Sequence, residues 1–300
     1  MQLLTIHSRD HGGPLGVRLN DGVLDVAAAV EVLGGGPGTP PTGVMQLLGG
    51  GAGALATLHR YVDWAAPRAQ EAGALRDESR LHFGPAVPHP QKIICVGLNY
   101  RQHAIETNLP IPTQPVLFNK FQNTLIAHGD AITVPADAEK LDYEVELTMV
   151  MGQQCKDVKR EDALKNVFGY CIANDFSERT WQFATSQWLL GKSPDGFCPL
   201  GPYLVTADAV GDPQQLAMKT WVDGELRQDL GTWDMIFPCD ELISFISHYI
   251  TLEPGDIILT GTPQGVAMGY PKGQEPWVRR GQTMTLEIEK LGRLVNRVAG

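Results

Sequence analysis

The sequence predicts an α+β fold built on a mixed or antiparallel sheet, and three observations carry that expectation. Short apolar, strand-like runs recur at irregular intervals instead of alternating with helices as βαβ repeats do. Asp223-Gly224 stands between Val222 and Glu225 as a hairpin turn, a connection between antiparallel neighbours. Residues 1 to about 85 are glycine-rich and set off by Pro85, Pro88 and Pro90, so a small N-terminal α/β domain (1–85) is expected before a larger one (86–300).

In the leading part, strands are expected at Leu3 to Ile6, Leu15 to Leu19 and Val23 to Val26. The glycine patches Gly34 to Gly38 and Gly49 to Gly53 read as loops. From Ala54 to Ala65, Leu55, Leu58, Tyr61 and Val62 fall on one side at helical spacing. After Lys92 the expected strands are Ile93 to Val96, Val116 to Asn119, Ala131 to Val134, Tyr143 to Met151, Gly169 to Ala173, Tyr203 to Thr206, Met218 to Val222, Ile257 to Thr260 and Thr283 to Ile288. Helices are expected at Arg101 to Thr107, Arg160 to Val167, Glu178 to Thr185 and Pro238 to Ile250, the last with an apolar stripe from Leu242 to Tyr249.

Composition narrows the function. With 43% hydrophobic and 19% charged residues the chain is an ordinary globular protein. Its net charge is -10 and its longest basic run is the pair Arg279-Arg280, which argues against nucleic acid or an anionic membrane surface as partner. The five cysteines are isolated and form no C-x-x-C pair, as reduced cytosolic thiols do. No signal-like leader and no apolar run of membrane length stands out, so a cytoplasmic location is expected.

Two phosphate-loop look-alikes fail on inspection. Gly191-Lys192-Ser193 ends like a Walker A loop, but Ser186 stands where the first glycine is required. Gly49-x-Gly51-x-x-Ala54 lacks the βαβ unit of a dinucleotide site.

Four segments carry chemistry. Leu141-Asp-Tyr-Glu-Val-Glu-Leu-Thr148 reads as a strand with Asp142, Glu144 and Glu146 on one face, successive members ~6.6 Å apart. Such a face is either a wet edge or a site that needs positive charge. Gly97 to Glu106 places His103 and Glu106 at i and i+3 on a short helix, either a surface pair or a base with its orienting carboxylate. Gly169 to Gln182 delivers Asp175 at a strand end, as a helix cap or as a third acid beside Glu144 and Glu146. Converging, those three acids form an all-oxygen site for a hard cation, with Arg179 and Lys192 as sources of further positive charge. Gly255 to Val266 is a strand opening into a Gly/Pro turn whose N–H groups and Thr262 hydroxyl suit a carboxylate.

In this order the segments closely resemble the fumarylacetoacetate hydrolase family: G-x-N-Y-x-x-H-x-x-E, D-Y-E-x-E-L, N-D-x-x-x-R-x-x-Q, G-K-S-x-D-x-x-C-P-L-G-P and G-D-x-I-x-T-G-T-P-x-G-V, between about Lys92 and Arg297. The resemblance implies a mixed β-sheet roll, a smaller N-terminal domain and a homodimer. It makes Glu144, Glu146 and Asp175 ligands of Mg²⁺ or Mn²⁺, with Ca²⁺ also admissible, and His103 and Glu106 a water-activating dyad. Lys192 becomes a stabiliser of developing charge, while Arg179, Gln182 and Thr262 hold the substrate. The chain departs from the family at Pro194 and Gly196, where Phe and Thr are common.

The activity so implied is hydrolysis of a C–C bond in an acylpyruvate-like 2,4-dioxo acid through a metal-bound enolate. Oxaloacetate decarboxylation, isomerisation or decarboxylation of hydroxymuconate-type diacids from aromatic catabolism, and tautomerisation share the scaffold. A non-catalytic metal-binding protein is the alternative of another class.

Overall fold

The computed structural model describes residues 1–7 and 12–299. Its centre is a twelve-stranded mixed sheet. The main path runs Leu75–Arg76, Gly22–Asp25, Leu15–Leu19, Gln2–Ile6, Cys198–Thr206, Val167–Asn174, Val145–Met151, Ile257–Leu259, Ile93–Gly97 and Val116–Lys120. Most neighbours are antiparallel, but Ile257–Leu259 runs parallel to Ile93–Gly97. A second sheet of five strands is ordered Glu225–Gly231, Ala217–Val222, Thr283–Ile288, Gly292–Ala299 and Ala131–Thr133. The fold is therefore α+β on mixed sheets, as expected.

The acidic strand is no wet edge. Val145–Met151 lies inside the main sheet between Val167–Asn174 and Ile257–Leu259, and all seven of its residues are buried. Leu147 and Met149 pack into the core shared with the second sheet and the helix Cys239–Tyr249. Val150 packs into the opposite core, with Leu47, Leu48, Leu58 and Tyr61 of the helix Val44–Ala65. The residues before Pro85 also belong to this sheet, because Gln2 and Leu3 pair with Val205 and Leu204.

The Asp223-Gly224 hairpin forms as expected, both residues adopting the positive φ that such a turn requires (48° and 83°). Three expectations need correction. Val26 starts a helix, Val26–Leu33, instead of ending a strand, because the Asp25 carboxylate caps it by accepting from Ala28 N–H. The helix Arg160–Ala163 gives way to a 3₁₀ turn, and Val167 already belongs to the next strand. The patch Gly49 to Gly53 is helical: Val44, Leu47 and Leu48 are anchored in the core before it and Leu58, Tyr61 and Val62 after it. Gly51 alone leaves helical geometry, at φ 56° and ψ −148°, and kinks the helix there.

That kink gives two neighbouring glycines opposite roles. A Cβ at either Gly51 or Gly53 meets no atom within 4 Å, so only the backbone responds to substitution. Gly51→Ala is expected to cost about 1–3 kcal/mol, because L residues are strained at that φ/ψ. Gly53→Ala, in regular helix, is expected to stabilise by about 0.5–1 kcal/mol. Urea unfolding of the two variants checks the pair.

Candidate active site

The site begins with sheet register. Val145 pairs with Asn174, so one step beyond the ladder Glu144 stands opposite Asp175, and Asp175 N–H donates to the Glu144 carbonyl at 3.0 Å. The Asn174 side chain closes the same corner by accepting from Glu144 N–H. Glu144 and Glu146 are two residues apart and share a face. One carboxylate oxygen from each of Glu144, Glu146 and Asp175 lies within 4.8 Å of the others, and all three side chains are buried. Asp142 belongs to a separate short strand, Leu141–Asp142, and turns to Ala267 N–H, Met268 N–H and Arg179.

Positive charge is drawn to these acids. Lys192 Nζ bridges Glu144 Oε2 (2.5 Å) and Asp175 Oδ2 (2.6 Å). The Arg179 guanidinium donates to Asp142, to Glu144 (2.6 Å) and to Gln182 Oε1 (2.8 Å). Burial alone pushes the Glu144 carboxyl up, but Arg179 and Lys192 outweigh it and hold the group well below the usual carboxylate range. Burial likewise opposes the Lys192 charge, while Asp175 and Glu144 raise its pKa above that of a free lysine. Sequence reasoning missed the third cation. Lys120 ends the strand Val116–Lys120, is buried, and donates to Asp175 Oδ1 at 2.5 Å and to the Phe176 carbonyl at 3.2 Å.

Glu146 is the exception. Its contact is the backbone N–H of Gly261 (2.8 Å), and no cation of the described residues reaches it. Burial, then the charges of Asp175 and Glu144, push its carboxyl well above the normal range. A buried acid short of positive charge, beside two further carboxylate oxygens and no His or Cys ligand, fits a hard divalent cation. Glu144, Glu146 and Asp175 are the residues that would hold it.

The dyad forms beside this cluster. His103 Nδ1 meets Glu106 Oε1 at 2.7 Å, and Glu106 Oε2 accepts Gly265 N–H at 2.8 Å. With Nδ1–H turned to the carboxylate, the lone pair sits on Nε2. The loop before the dyad is clamped by Asn99, which donates to the carbonyls of Phe237 and Thr260 and accepts from Phe237 N–H. The Gly/Pro turn expected to receive a carboxylate does so with the protein's own acids: Gly261 serves Glu146 and Gly265 serves Glu106. Both glycines have positive φ, and a Cβ on Gly265 would lie 2.1 Å from the Arg227 carbonyl. The Thr262 hydroxyl accepts from Gln228 Nε2 (2.9 Å), and Thr262, Gln182, His103 and the acids line one cleft. A larger cavity, about 1150 Å³, lies elsewhere, and its arginines Arg18, Arg76 and Arg293 are already paired with Glu78, Asp25 and Glu287.

Replacing Lys120 by Met strips Asp175 of one buried partner. Lys120→Met is expected to lower stability by about 3–5 kcal/mol. Arg160→Ala, which removes a half-exposed partner of Asp240 and Glu241, is expected to cost less than about 1 kcal/mol. Equal losses in urea unfolding would contradict a special role for the buried lysine.

Comparison with known proteins agrees with this geometry. The sequence profile of the fumarylacetoacetate (FAA) hydrolase C-terminal family matches residues 92–299. The chain is 37% identical over 303 aligned residues to the oxaloacetate tautomerase fahd2, mitochondrial, of Xenopus laevis, covering 99% of this chain and 90% of that protein. It is 47% identical over 216 residues to the 2,4-didehydro-3-deoxy-L-rhamnonate hydrolase of Sphingomonas sp. (strain SKA58), covering 72% and 75%. The solved maleylpyruvate hydrolase of Sphingobium sp. SYK-6, in complex with manganese(II) and pyruvate, superposes with a TM-score of 0.78 at 31% identity, over 100% of this chain and 99% of that one. Among the described residues no helix is long and apolar enough to cross a membrane. With the five sequence motifs, the profile match and these enzyme relatives in agreement, the chain is an enzyme that belongs to the fumarylacetoacetate hydrolase family.

Proposed function

We propose that the protein is a divalent-metal-dependent hydrolase of 2,4-dioxo acids of the acylpyruvate type. The observation that carries this reading is His103, bonded to Glu106, lining the same cleft as the Glu144, Glu146 and Asp175 carboxylates. Two comparisons support it: one relative is named as a hydrolase of a 2,4-didehydro acid, and one structural neighbour is a hydrolase solved with manganese and pyruvate. Mg²⁺ or Mn²⁺ held by the three acids supplies Lewis-acid stabilisation for negative charge that develops on the 2-oxo end of the substrate.

The chain's own residues do the rest. His103 Nε2 takes a proton from water while the water oxygen attacks the distal carbonyl carbon. Glu106, fixed by Gly265 N–H, holds the ring and stabilises the imidazolium that results. Lys192 has three N–H donors, of which Glu144 and Asp175 take two, leaving one for the oxyanion of the attacked carbonyl. The C–C bond then breaks with its electron pair on the pyruvate fragment, and the His103 proton passes to that carbon. Gln182 gives its carbonyl oxygen to Arg179 and keeps its amide donors for the substrate carboxylate. Five buried, unpaired cysteines suit a reducing compartment such as the cytoplasm.

A second reading is tautomerisation or decarboxylation of oxaloacetate, favoured by the relative that aligns over 99% of the chain. Neither reaction needs an attacking water. His103→Ala is expected to lower hydrolysis of an acylpyruvate by about 10²- to 10⁴-fold; full retention of oxaloacetate decarboxylation by the same variant would favour the second reading. Calorimetry tests the shared premise: oxalate, a mimic of the pyruvate enolate, is expected to bind in the presence of Mg²⁺ or Mn²⁺ and not without it. Glu146→Gln is expected to weaken metal binding at least about tenfold. Unchanged affinity would remove Glu146 from the ligand set.

A further inference from the structure

The cleft has two chemically different parts. Its floor holds the acids with Lys192 and Arg179, and its walls are Leu98, Leu109, Phe118, Phe183, Trp188 and Met268. Trp188 packs edge-on against Phe118 with ring centroids 5.3 Å apart. Its seat depends on Gly97, where a Cβ would lie 2.5 Å from the indole. Leu109 and Phe183 stand 43% and 53% exposed, so large apolar surface faces water at the entrance of a charged site.

Among the described residues the cleft has no cation to spare for a second anionic group. Arg179 and Lys192, the basic residues that line it, are bound to the acids, and His103 is bound to Glu106. Asp142, Glu144, Glu146 and Asp175 face Arg179, Lys192 and Lys120, so the floor falls one positive charge short of neutrality. With a divalent ion in place its surplus is at most one positive charge, enough for one carboxylate. A second carboxylate, carried beyond the 2-oxo acid end, would lie against apolar walls without a partner.

Resting on the reading proposed above, we infer that the substrate is a monoacid whose distal part is apolar and uncharged, selected by Leu109, Phe118, Phe183 and Trp188. The test is calorimetry on the Mn²⁺-loaded protein with 2-oxohexanoate and 2-oxoadipate. These have the same chain length and differ in a terminal methyl against a terminal carboxylate. 2-Oxohexanoate is expected to bind at least about tenfold more tightly, and Phe183→Arg or Leu109→Arg to narrow or reverse that ratio. Equal or tighter binding of 2-oxoadipate, with oxalate still bound, would overturn this inference and leave the proposed function standing. An unchanged ratio in both arginine variants would overturn the assignment of the selecting walls. Absence of oxalate binding would overturn the proposed function and the inference with it.

Discussion

Carboxylates buried together must bring positive charge in with them, and much of the architecture around the cleft follows from that constraint. An unpaired ion deep in a protein costs several kcal/mol even after relaxation. Lys120 arrives from the edge of the main sheet, Lys192 from the turn after Trp188, and Arg179 from the short helix that follows Asp175. Three separate segments are thereby tied to one strand pair, Val145–Met151 with Val167–Asn174. Only Glu146 is left without a cation, and it is the acid whose charged form the interior penalises most plainly. Charge balance thus links the fold to the chemistry: with Asp142 counted, the arrangement that permits burial is short by one positive charge.

Backbone donors complete what the cations leave undone. Gly261 and Gly265 present their N–H groups to Glu146 and Glu106, and each position needs a backbone that tolerates no side chain. Asn99 ties the loop that carries the dyad to the strand end at Thr260 and to Phe237. Glu146 and the dyad are therefore held by the same Gly/Pro turn, and a shift of that turn moves both.

Much of the candidate site was legible in the sequence because its acids are close in sequence or follow strand ends. The i, i+2 spacing of Glu144 and Glu146 and the i, i+3 spacing of His103 and Glu106 are local geometry. Lys120 was not legible: a lysine closing an apolar strand reads as a solvent-facing terminus, and only tertiary register brings Asp175 to it. The pairing of Arg179 with two acids escaped for the same reason, since Asp142 and Glu144 reach it from 37 and 35 residues away. In the fold, the apolar runs of the main sheet left a signal as strands, whereas Glu225–Gly231 and Gly292–Ala299, whose apolar residues are broken up by charged and polar ones, were not read. The helix across Gly49 to Gly53 was not, because glycine content speaks for flexibility while the anchoring apolar residues lie outside the patch. The short helix after Asp25 did leave a signal, a capping carboxylate ahead of an alanine-rich run.

The pairing of Gln2–Ile6 with Cys198–Thr206 carries a consequence for how the chain reaches this structure. The early strand finds one neighbour quickly, Leu15–Leu19, through a local hairpin. On its other edge Thr5 and Ile6 pair with Gly84 and Phe83, but the part at Gln2 and Leu3 waits for a partner some two hundred residues later, and loops of that length make folding slow. At roughly 5–20 residues per second of synthesis, that edge stays open for on the order of ten seconds or more. During that interval the nascent chain presents unpaired backbone next to the apolar Leu3 and Leu4, a surface that invites pairing with other chains. The long-range closure that completes the central sheet is thus also the step at which assembly of this enzyme is most exposed to aggregation.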